Sequence, residues 1–224
     1  KLIRAGCKVA IGEQLETPEE AKKRGYKAVV NRDVVRIVTP GTITEETLLD
    51  ATTSNYLAAY SGEALAWIDI TTGEFSVCGV TQATLAAELT RIAPKEILAA
   101  DTRGLEDWKS QLTIQPANLF DERKGERVLK ETYAVTSLDV FGDFEPSMIA
   151  ACGALLEYVR LTQKDALPRL DSPKRQQVGE HMLIDAATQR NLEIMQTLSG
   201  SRRGSLFSVI DETETASGAR MLAS

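Results

Sequence analysis

Three short apolar runs separated by turn residues constrain the fold of this chain more than any other feature of its sequence. They cover residues 55–60, 64–70 and 74–80, with Ser61-Gly62 and Thr72-Gly73 between them. Apolar, strand-forming runs interrupted by glycine-containing turns are typical of antiparallel hairpins. The spacing therefore predicts an antiparallel meander.

Strands and helices alternate after this meander. Thr81 is a candidate N-cap for a helix that Pro94 ends, and residues 96–100 follow as a short strand. Residues 113–116 indicate a further edge strand, and Glu145-Pro146 begins a long helix. This order predicts an α/β domain with a mixed sheet, in the manner of the ribonuclease H-like fold. The apolar side of the long helix is expected to be core, and its residues are Ile149, Cys152, Leu156 and Val159.

The residues before the meander have the pattern of a smaller α+β unit. Residues 7–15 indicate a strand, and Thr17-Pro18 indicates the start of a short helix that continues to Arg24. Val34–Val38 is a β-branched run interrupted by one arginine, and Pro40-Gly41 closes it. Because β-branched residues favour strands and Pro-Gly favours turns, a strand that ends in a turn is expected here.

The last part of the chain has a different, helical pattern. Residues 166–173 hold two prolines and indicate a crossing point between domains. Ala186–Leu198 shows helical spacing, and Ser205 and Thr215 are candidate caps of two further helices.

The two termini suggest that the chain continues in both directions. Lys1 is not preceded by an initiator Met, and residues 220–224 read as part of an unfinished helix. Further sequence is therefore expected at both ends. Helical stretches are also expected at residues 2–5 and beyond Glu45.

The charge is distributed unevenly along the sequence. Residues 1–44 carry nine Lys/Arg and five Asp/Glu, whereas residues 45–163 carry nine and nineteen, and residues 164–224 carry eight of each. Contact with a phosphate backbone needs positive charge at the contact surface, so the first part suits such contact better than the acidic middle.

The cysteines and the apolar runs indicate an intracellular environment. Cys7, Cys78 and Cys152 lie far apart, and none belongs to a Cys-x-x-Cys pair. No signal peptide is evident, and no apolar run approaches the roughly 20 residues of a membrane-spanning helix. We therefore expect free thiols, no membrane association and a cytoplasmic location.

Five sequence blocks resemble the MutS family of bacterial DNA mismatch-repair proteins. They are GCKVAIGEQ at 6–14, VVRIVTPGT at 34–42, IDAATQRNLEI at 184–194, SVIDET at 208–213 and GARML at 218–222. Each block is longer than a short motif, and the blocks occur in the family's order.

The resemblance implies three parts. These are the C-terminal part of a mismatch-recognition domain (1–47), a ribonuclease H-like connector domain (48–163) and the helical start of a core or lever domain (164–224). It implies that the complete protein is a homodimeric, ATP-dependent clamp that recognises mispaired double-stranded DNA, with ATP and magnesium bound outside this chain. The chain itself is then expected to lack enzymatic activity, cofactors and metals. Its role would be to couple recognition to the core and to contact a partner such as MutL.

Two arginines are the candidate DNA contacts. Arg32 and Arg36 lie on the last predicted strand of the recognition segment, where guanidinium groups can hold phosphates bidentately. The alternative is that Arg36 is a solvent-facing residue that pairs with Asp33 or Glu13. The family's mismatch-probing Phe-x-Glu motif lies outside this chain, and we interpret Phe120-Asp-Glu122 as a coincidental match.

Two other classes of function remain open on the sequence alone. Asp69 and Glu74, with Asp139 and Asp143, could belong to a metal-dependent ribonuclease H-like nuclease. Alternatively, the chain is an acidic α/β protein-interaction module. His181 is the single histidine and is expected at a surface or domain boundary rather than in a catalytic site.

Overall fold

The computed structural model of the chain describes residues 7–25, 28–44, 53–164, 168–177, 184, 186–215, 218–219 and 222. The helical stretches expected at 2–5 and directly after Glu45, the residue His181 and most of the expected C-terminal helix lie outside these residues. No helix in the described part of the chain has both the length and the apolar character needed to cross a membrane.

The first part of the chain forms a two-stranded antiparallel ribbon. Its elements are β1 (Val9–Gln14), α1 (Pro18–Arg24) and β2 (Arg32–Val38), and a 3-10 turn at Pro40–Thr42 follows. Thr17 and Glu20 form a capping box, so α1 begins where the sequence predicts. Every residue of β1 after Val9 is exposed. We call residues 9–38 the ribbon and residues 39–42 the turn.

The predicted meander is confirmed. β3 (Tyr56–Tyr60), β4 (Ala64–Asp69) and β5 (Phe75–Gly79) pair in sequence order and antiparallel. Gly62 and Gly73 have φ values of +99° and +85° in the two connections, a conformation that glycine adopts without steric cost.

Parallel strands extend the meander on both sides into a six-stranded mixed sheet. They are β6 (Glu96–Ala99) beside β3, β7 (Leu112–Ile114) beside β6, and β8 (Lys174–Arg175) beside β5. The order is β7-β6-β3-β4-β5-β8. The predicted strands near 96–100 and 113–116 are therefore present. β8 was not predicted and pairs with the sheet beyond residue 163, while the domain boundaries themselves stay a prediction.

Helices cover both faces of the sheet, which gives the expected mixed α/β architecture. α2 (Gln82–Ile92) packs on one face, and α3 (Glu122–Tyr133) and α4 (Pro146–Gln163) pack on the other. Thr81 caps α2, and α4 begins at Pro146, both as predicted. The predicted core side of α4 is confirmed, because Cys152, Leu156 and Val159 are fully buried and Ile149 packs against the same cluster.

Two glycines allow α3 and α4 to cross closely. A Cβ on Gly153 would lie 2.3 Å from the Cα of Gly125, and a Cβ on Gly125 would lie 2.5 Å from the carbonyl oxygen of Ile149. Both distances are far below van der Waals contact, and both neighbours are backbone atoms that cannot rotate away. Glycine at both positions is thus required for this helix pair to close over the sheet.

The helix predicted over 186–198 is shorter than expected. α5 (Ala186–Asn191) ends early, and Glu193 has a φ of +50°, which is outside the helical region. Leu192 and Leu198 are 58% and 63% exposed. The carbonyls of Glu193 and Ile194 instead accept the N–H groups of Leu206 and Phe207, at the start of α6, at 2.9 and 2.8 Å.

The two predicted caps near the end of the chain are both engaged. Ser205 precedes α6 (Leu206–Ile210), and its hydroxyl accepts a hydrogen bond from the Ser208 N–H. The Thr215 hydroxyl accepts one from the Gly218 N–H at 3.1 Å. Side-chain oxygens that accept N–H groups three residues later are the usual way in which a helix start is stabilised.

Candidate functional site

The two arginines predicted to contact DNA have different surroundings on β2. Arg32 is exposed at the first position of the strand. Arg36 is partly buried, and its Nη2 donates to the Thr44 hydroxyl at 2.7 Å and to the Thr42 carbonyl at 3.4 Å. Arg36 thus contacts the loop that follows the ribbon, whereas Asp33, its suggested alternative partner, accepts the backbone N–H of Val34. Contact of either arginine with DNA stays a prediction.

The two carboxylates of the nuclease alternative stabilise a strand connection. Asp69 is 1% exposed and accepts hydrogen bonds from the Asn55 N–H at 3.0 Å and from the Thr71 N–H and hydroxyl at 2.8 and 2.6 Å. Glu74 accepts the Tyr56 hydroxyl at 2.8 Å. Burial raises the pKa of Tyr56 to about 12, and the Glu74 carboxylate adds to the rise.

The remaining acidic candidates, Asp139 and Asp143, also take part in hydrogen bonds. The Asp139 carboxylate accepts the Ser137 hydroxyl at 2.7 Å. Asp143 contributes its backbone carbonyl, which accepts from the Arg175 guanidinium. Within the described ranges, no group of three or more His, Cys, Asp or Glu side chains is placed to hold a metal ion.

The Phe-x-Glu string in the acidic middle of the chain marks the start of a helix. Phe120 packs against the core beneath α4. Asp121 caps α3 by accepting the Lys124 N–H at 2.8 Å, and Glu122 is the first helical residue. These positions account for all three residues through local packing and capping.

Among residues 7–25 and 28–44, the turn contains the most deeply buried side chains. Thr39 and Thr42 are both 0% exposed. A Cβ on Gly41 would lie 2.8 Å from the Cδ1 of Leu57 and 2.9 Å from the Cβ of Glu96. The absence of a side chain therefore lets the backbone of the turn lie directly on β3 and β6.

A buried carboxylate beneath the turn is a candidate functional residue that the sequence analysis missed. Glu96 opens β6, is 1% exposed, and accepts hydrogen bonds from the Thr39 hydroxyl and, at 3.1 Å, from the Gly41 N–H. One signal was available, because a glutamate at the head of a short apolar strand needs buried partners. Asn55 adds a second polar contact by donating to the Pro40 carbonyl at 3.1 Å. We call Glu96 together with the turn the junction.

Comparison with known families identifies the class of protein to which this chain belongs. The model for MutS domain II matches residues 55–171, the model for MutS domain I matches residues 1–47, and the model for MutS domain III matches residues 187–224. The first match alone covers more than half of the chain. The chain therefore belongs to the MutS family.

Relatives from several bacteria extend this result over nearly the whole chain. The DNA mismatch repair protein MutS of Paracoccus denitrificans is 50% identical over 229 residues, and that of Cereibacter sphaeroides is 51% identical over 229 residues. The protein of the same name from Ruegeria pomeroyi is 50% identical over 232 residues. Each alignment includes 99% of this chain but 26% of the relative, so the chain spans about a quarter of their length.

Proposed function

We propose that this chain is the part of a DNA mismatch-repair protein that couples a mismatch-recognition domain to the core of the molecule. The observation that carries this proposal is the junction, where the turn after the ribbon is buried directly against the central sheet. A buried, hydrogen-bonded contact between two parts moves them together, whereas an exposed linker would let each move alone. The names of the relatives support mispaired DNA as the substrate.

The complete protein would act in the cytoplasm as a homodimeric clamp that binds mispaired double-stranded DNA and responds to ATP with magnesium. Both ATP and magnesium would bind outside this chain, which would have no turnover of its own. The central domain would be ribonuclease H-like, and the antiparallel meander flanked by parallel β6 and β7 supports that topology.

The binding experiment compares the complete protein with the 224-residue chain on mismatched and matched duplexes at ~0.15 M salt. We expect selective binding by the complete protein and weak binding by this chain, because residues 45–163 carry nineteen acidic and nine basic residues. Equal affinity of the complete protein for both duplexes would contradict the proposal. Tight, mismatch-selective binding by the chain alone would contradict the coupling role that we assign to it.

Arg32 and Arg36 are proposed phosphate contacts in the complete protein. Arg32→Ala is expected to weaken binding to matched and mismatched duplexes equally. The magnitude of the slope of the logarithm of the binding constant against the logarithm of the salt concentration should fall by about 0.9 for each phosphate that is no longer neutralised. Arg36→Ala is expected to have this effect together with a local change in the loop, because the Arg36 guanidinium also donates to Thr44. An unchanged salt slope in both variants would exclude these contacts.

The acidic central domain is proposed to contact a MutL-like partner. The test is equilibrium binding of such a protein to the 224-residue chain and to the complete protein at two salt concentrations. We expect the chain to retain binding and the affinity to fall as salt screens the acidic surface. Binding by the complete protein without any binding by the chain would assign the contact to another part of the molecule.

A further inference from the structure

We propose that Glu96 is a positioning residue that fixes the orientation of the ribbon on the central sheet and so transmits the state of the recognition domain to the connector. This inference rests on the proposed function and deepens it, because it names the group through which the two parts are coupled. It follows from the number, direction and origin of the donors around one carboxylate.

Four hydrogen-bond donors surround the Glu96 carboxylate. The Thr39 hydroxyl and the Gly41 N–H, at 3.1 Å, donate to Oε2. The Thr113 hydroxyl at 2.8 Å and the Tyr158 hydroxyl at 2.7 Å donate to Oε1. Because an ionised carboxylate has about four acceptor positions and no donor, these groups match its full capacity. A side chain without an acceptor at this position, such as alanine, would leave the buried Thr39 hydroxyl and Gly41 N–H without their acceptor.

The acceptor at residue 96 sets the direction of the hydroxyl–hydroxyl hydrogen bond inside the turn. The Thr39 N–H donates to the Thr42 hydroxyl oxygen at 2.9 Å, and the two threonine hydroxyls lie 2.9 Å apart. Since the Thr39 hydroxyl gives its hydrogen to Glu96, the Thr42 hydroxyl must donate to Thr39. The conformation of the turn and its contact with the sheet therefore form one continuous hydrogen-bond chain.

Both strands of the ribbon reach the same carboxylate, at the end where Val9 pairs with Val38. Thr39 follows β2, while Lys8 precedes β1 and places its Nζ 3.6 Å from Glu96 Oε1 and 5.9 Å from the centre of the Tyr158 ring. Burial raises the pKa of Tyr158, and the neighbouring Glu96 charge raises it further, so this hydroxyl stays a donor. The turn provides the hydrogen-bonded attachment, and the partly exposed Lys8 adds a weak ionic contact from the neighbouring strand.

The first experiment measures amide hydrogen exchange at Gly41 in the 224-residue chain. We expect exchange to be faster by about tenfold or more in Glu96→Ala, the loss that follows removal of one hydrogen bond to a charged group. Glu96→Gln should restore most of the protection, because its carbonyl oxygen can face Gly41 while the hydroxyls of Thr113 and Tyr158 rotate to accept from its amide. Wild-type exchange in Glu96→Ala would overturn the inference.

Two controls separate positioning from general loss of stability. Thr113→Val removes a donor to Glu96 without touching the turn, and Val77→Ala opens a cavity in a fully buried position of β5. Both should lower the urea midpoint while the exchange rate at Gly41 remains within about twofold of wild type under native conditions. If Val77→Ala accelerated amide exchange at Gly41 as much as Glu96→Ala does, the effect would not be specific to the junction.

The second experiment measures ATP turnover of the complete protein with mismatched and matched duplexes. In Glu96→Ala, we expect the ratio of the two rates to fall by about fivefold, a coupling energy of ordinary size for linked sites, while Glu96→Gln and Val77→Ala retain the ratio. If Gly41 exchanged faster in Glu96→Ala but the ratio of the two turnover rates equalled that of the wild type, the transmitting role would be overturned. If wild-type turnover were the same with both duplexes, the proposed function would fail, whereas the exchange result at Gly41 would still decide the role of Glu96 in positioning.

Discussion

β1 of the ribbon and β4 of the central sheet are both six residues long but are stabilised in different ways. β4 is buried at all six positions, whereas β1 is exposed at every position after Val9. The sheet has helices on both faces, while a two-stranded ribbon of this size is marginally stable by itself. The sheet therefore depends on its own core, whereas the position of the ribbon depends on the junction and on the contact of β2 with α4.

The largest expected effect is on the core of the sheet domain. Gly153→Ala should destabilise the chain by about 3 kcal/mol, at the upper end of the cost of overpacking, because the new Cβ would lie 2.3 Å from the Gly125 backbone. In an unconstrained helix, the same substitution would stabilise by about 1 kcal/mol. The sign of the change in urea-unfolding free energy therefore tests whether α3 and α4 cross at these glycines.

A glycine in the ribbon supplies the matched control for this substitution. A Cβ on Gly12 would meet its nearest neighbour, the Asp33 carbonyl oxygen, at an ordinary 3.6 Å. We expect Gly12→Ala to change the unfolding free energy by less than about 0.5 kcal/mol, as is usual at exposed positions. Comparable losses in Gly12→Ala and Gly153→Ala would contradict the contrast between an open ribbon and a closely packed core.

The next largest effect is expected at the junction and in the ribbon that it positions. Gly41→Ala places a Cβ 2.8 Å from Leu57 and should weaken docking of the turn by about 2 kcal/mol. Residue-specific hydrogen exchange is expected to rise across β1 and β2 while β3 to β6 keep their protection. An equal increase in every strand would mean that ribbon and sheet unfold as one unit, which would contradict their separate stabilisation.

A smaller effect is expected from alkaline pH, and it concerns the sheet. Tyr56 lies on β3, and burial raises its pKa to about 12, so the folded state favours the neutral phenol. The stabilisation is present below pH ~10 and is lost as the pH rises through the folded pKa. Between about pH 9 and pH 11.5, the unfolding free energy of the wild type should fall by about 1 kcal/mol more than that of Tyr56→Phe, a value that allows for partial exposure of the side chain. Equal losses in urea titrations of both proteins would exclude Tyr56 as the source.

Most of the sheet could be predicted because its signals are local. Gly62 lies in the short connection between the apolar runs of β3 and β4, and Gly73 lies in the connection between β4 and β5. Thr81 likewise directly precedes the helix that it caps. β8 has no such signal, because it consists of two exposed basic residues whose pairing with β5 arises from tertiary structure.

The candidate site could be predicted only in part. The turn was evident from Pro40-Gly41, but its burial and its partner were not. Glu96 accepts from Thr39 and Tyr158, which are 57 and 62 residues away in sequence. A short apolar strand with one glutamate indicates that the charge needs partners, yet the identity of those partners depends on how distant segments pack.

The smallest expected effect tests whether hydrogen bonds or charge attraction hold the ribbon on the sheet. Lys8 is the one basic group that the described residues place in an ion pair with Glu96, and its side chain is 46% exposed with Nζ at 3.6 Å. Partly exposed ion pairs contribute little, so Lys8→Met should weaken docking by less than about 0.5 kcal/mol. Raising the salt from ~0.1 M to ~0.5 M should likewise change Gly41 exchange by less than about twofold, because the four hydrogen bonds to Glu96 are shielded from solvent. A large loss of protection in either experiment would instead make docking of the ribbon sensitive to ionic strength, and Lys8 rather than the turn would then be its main attachment.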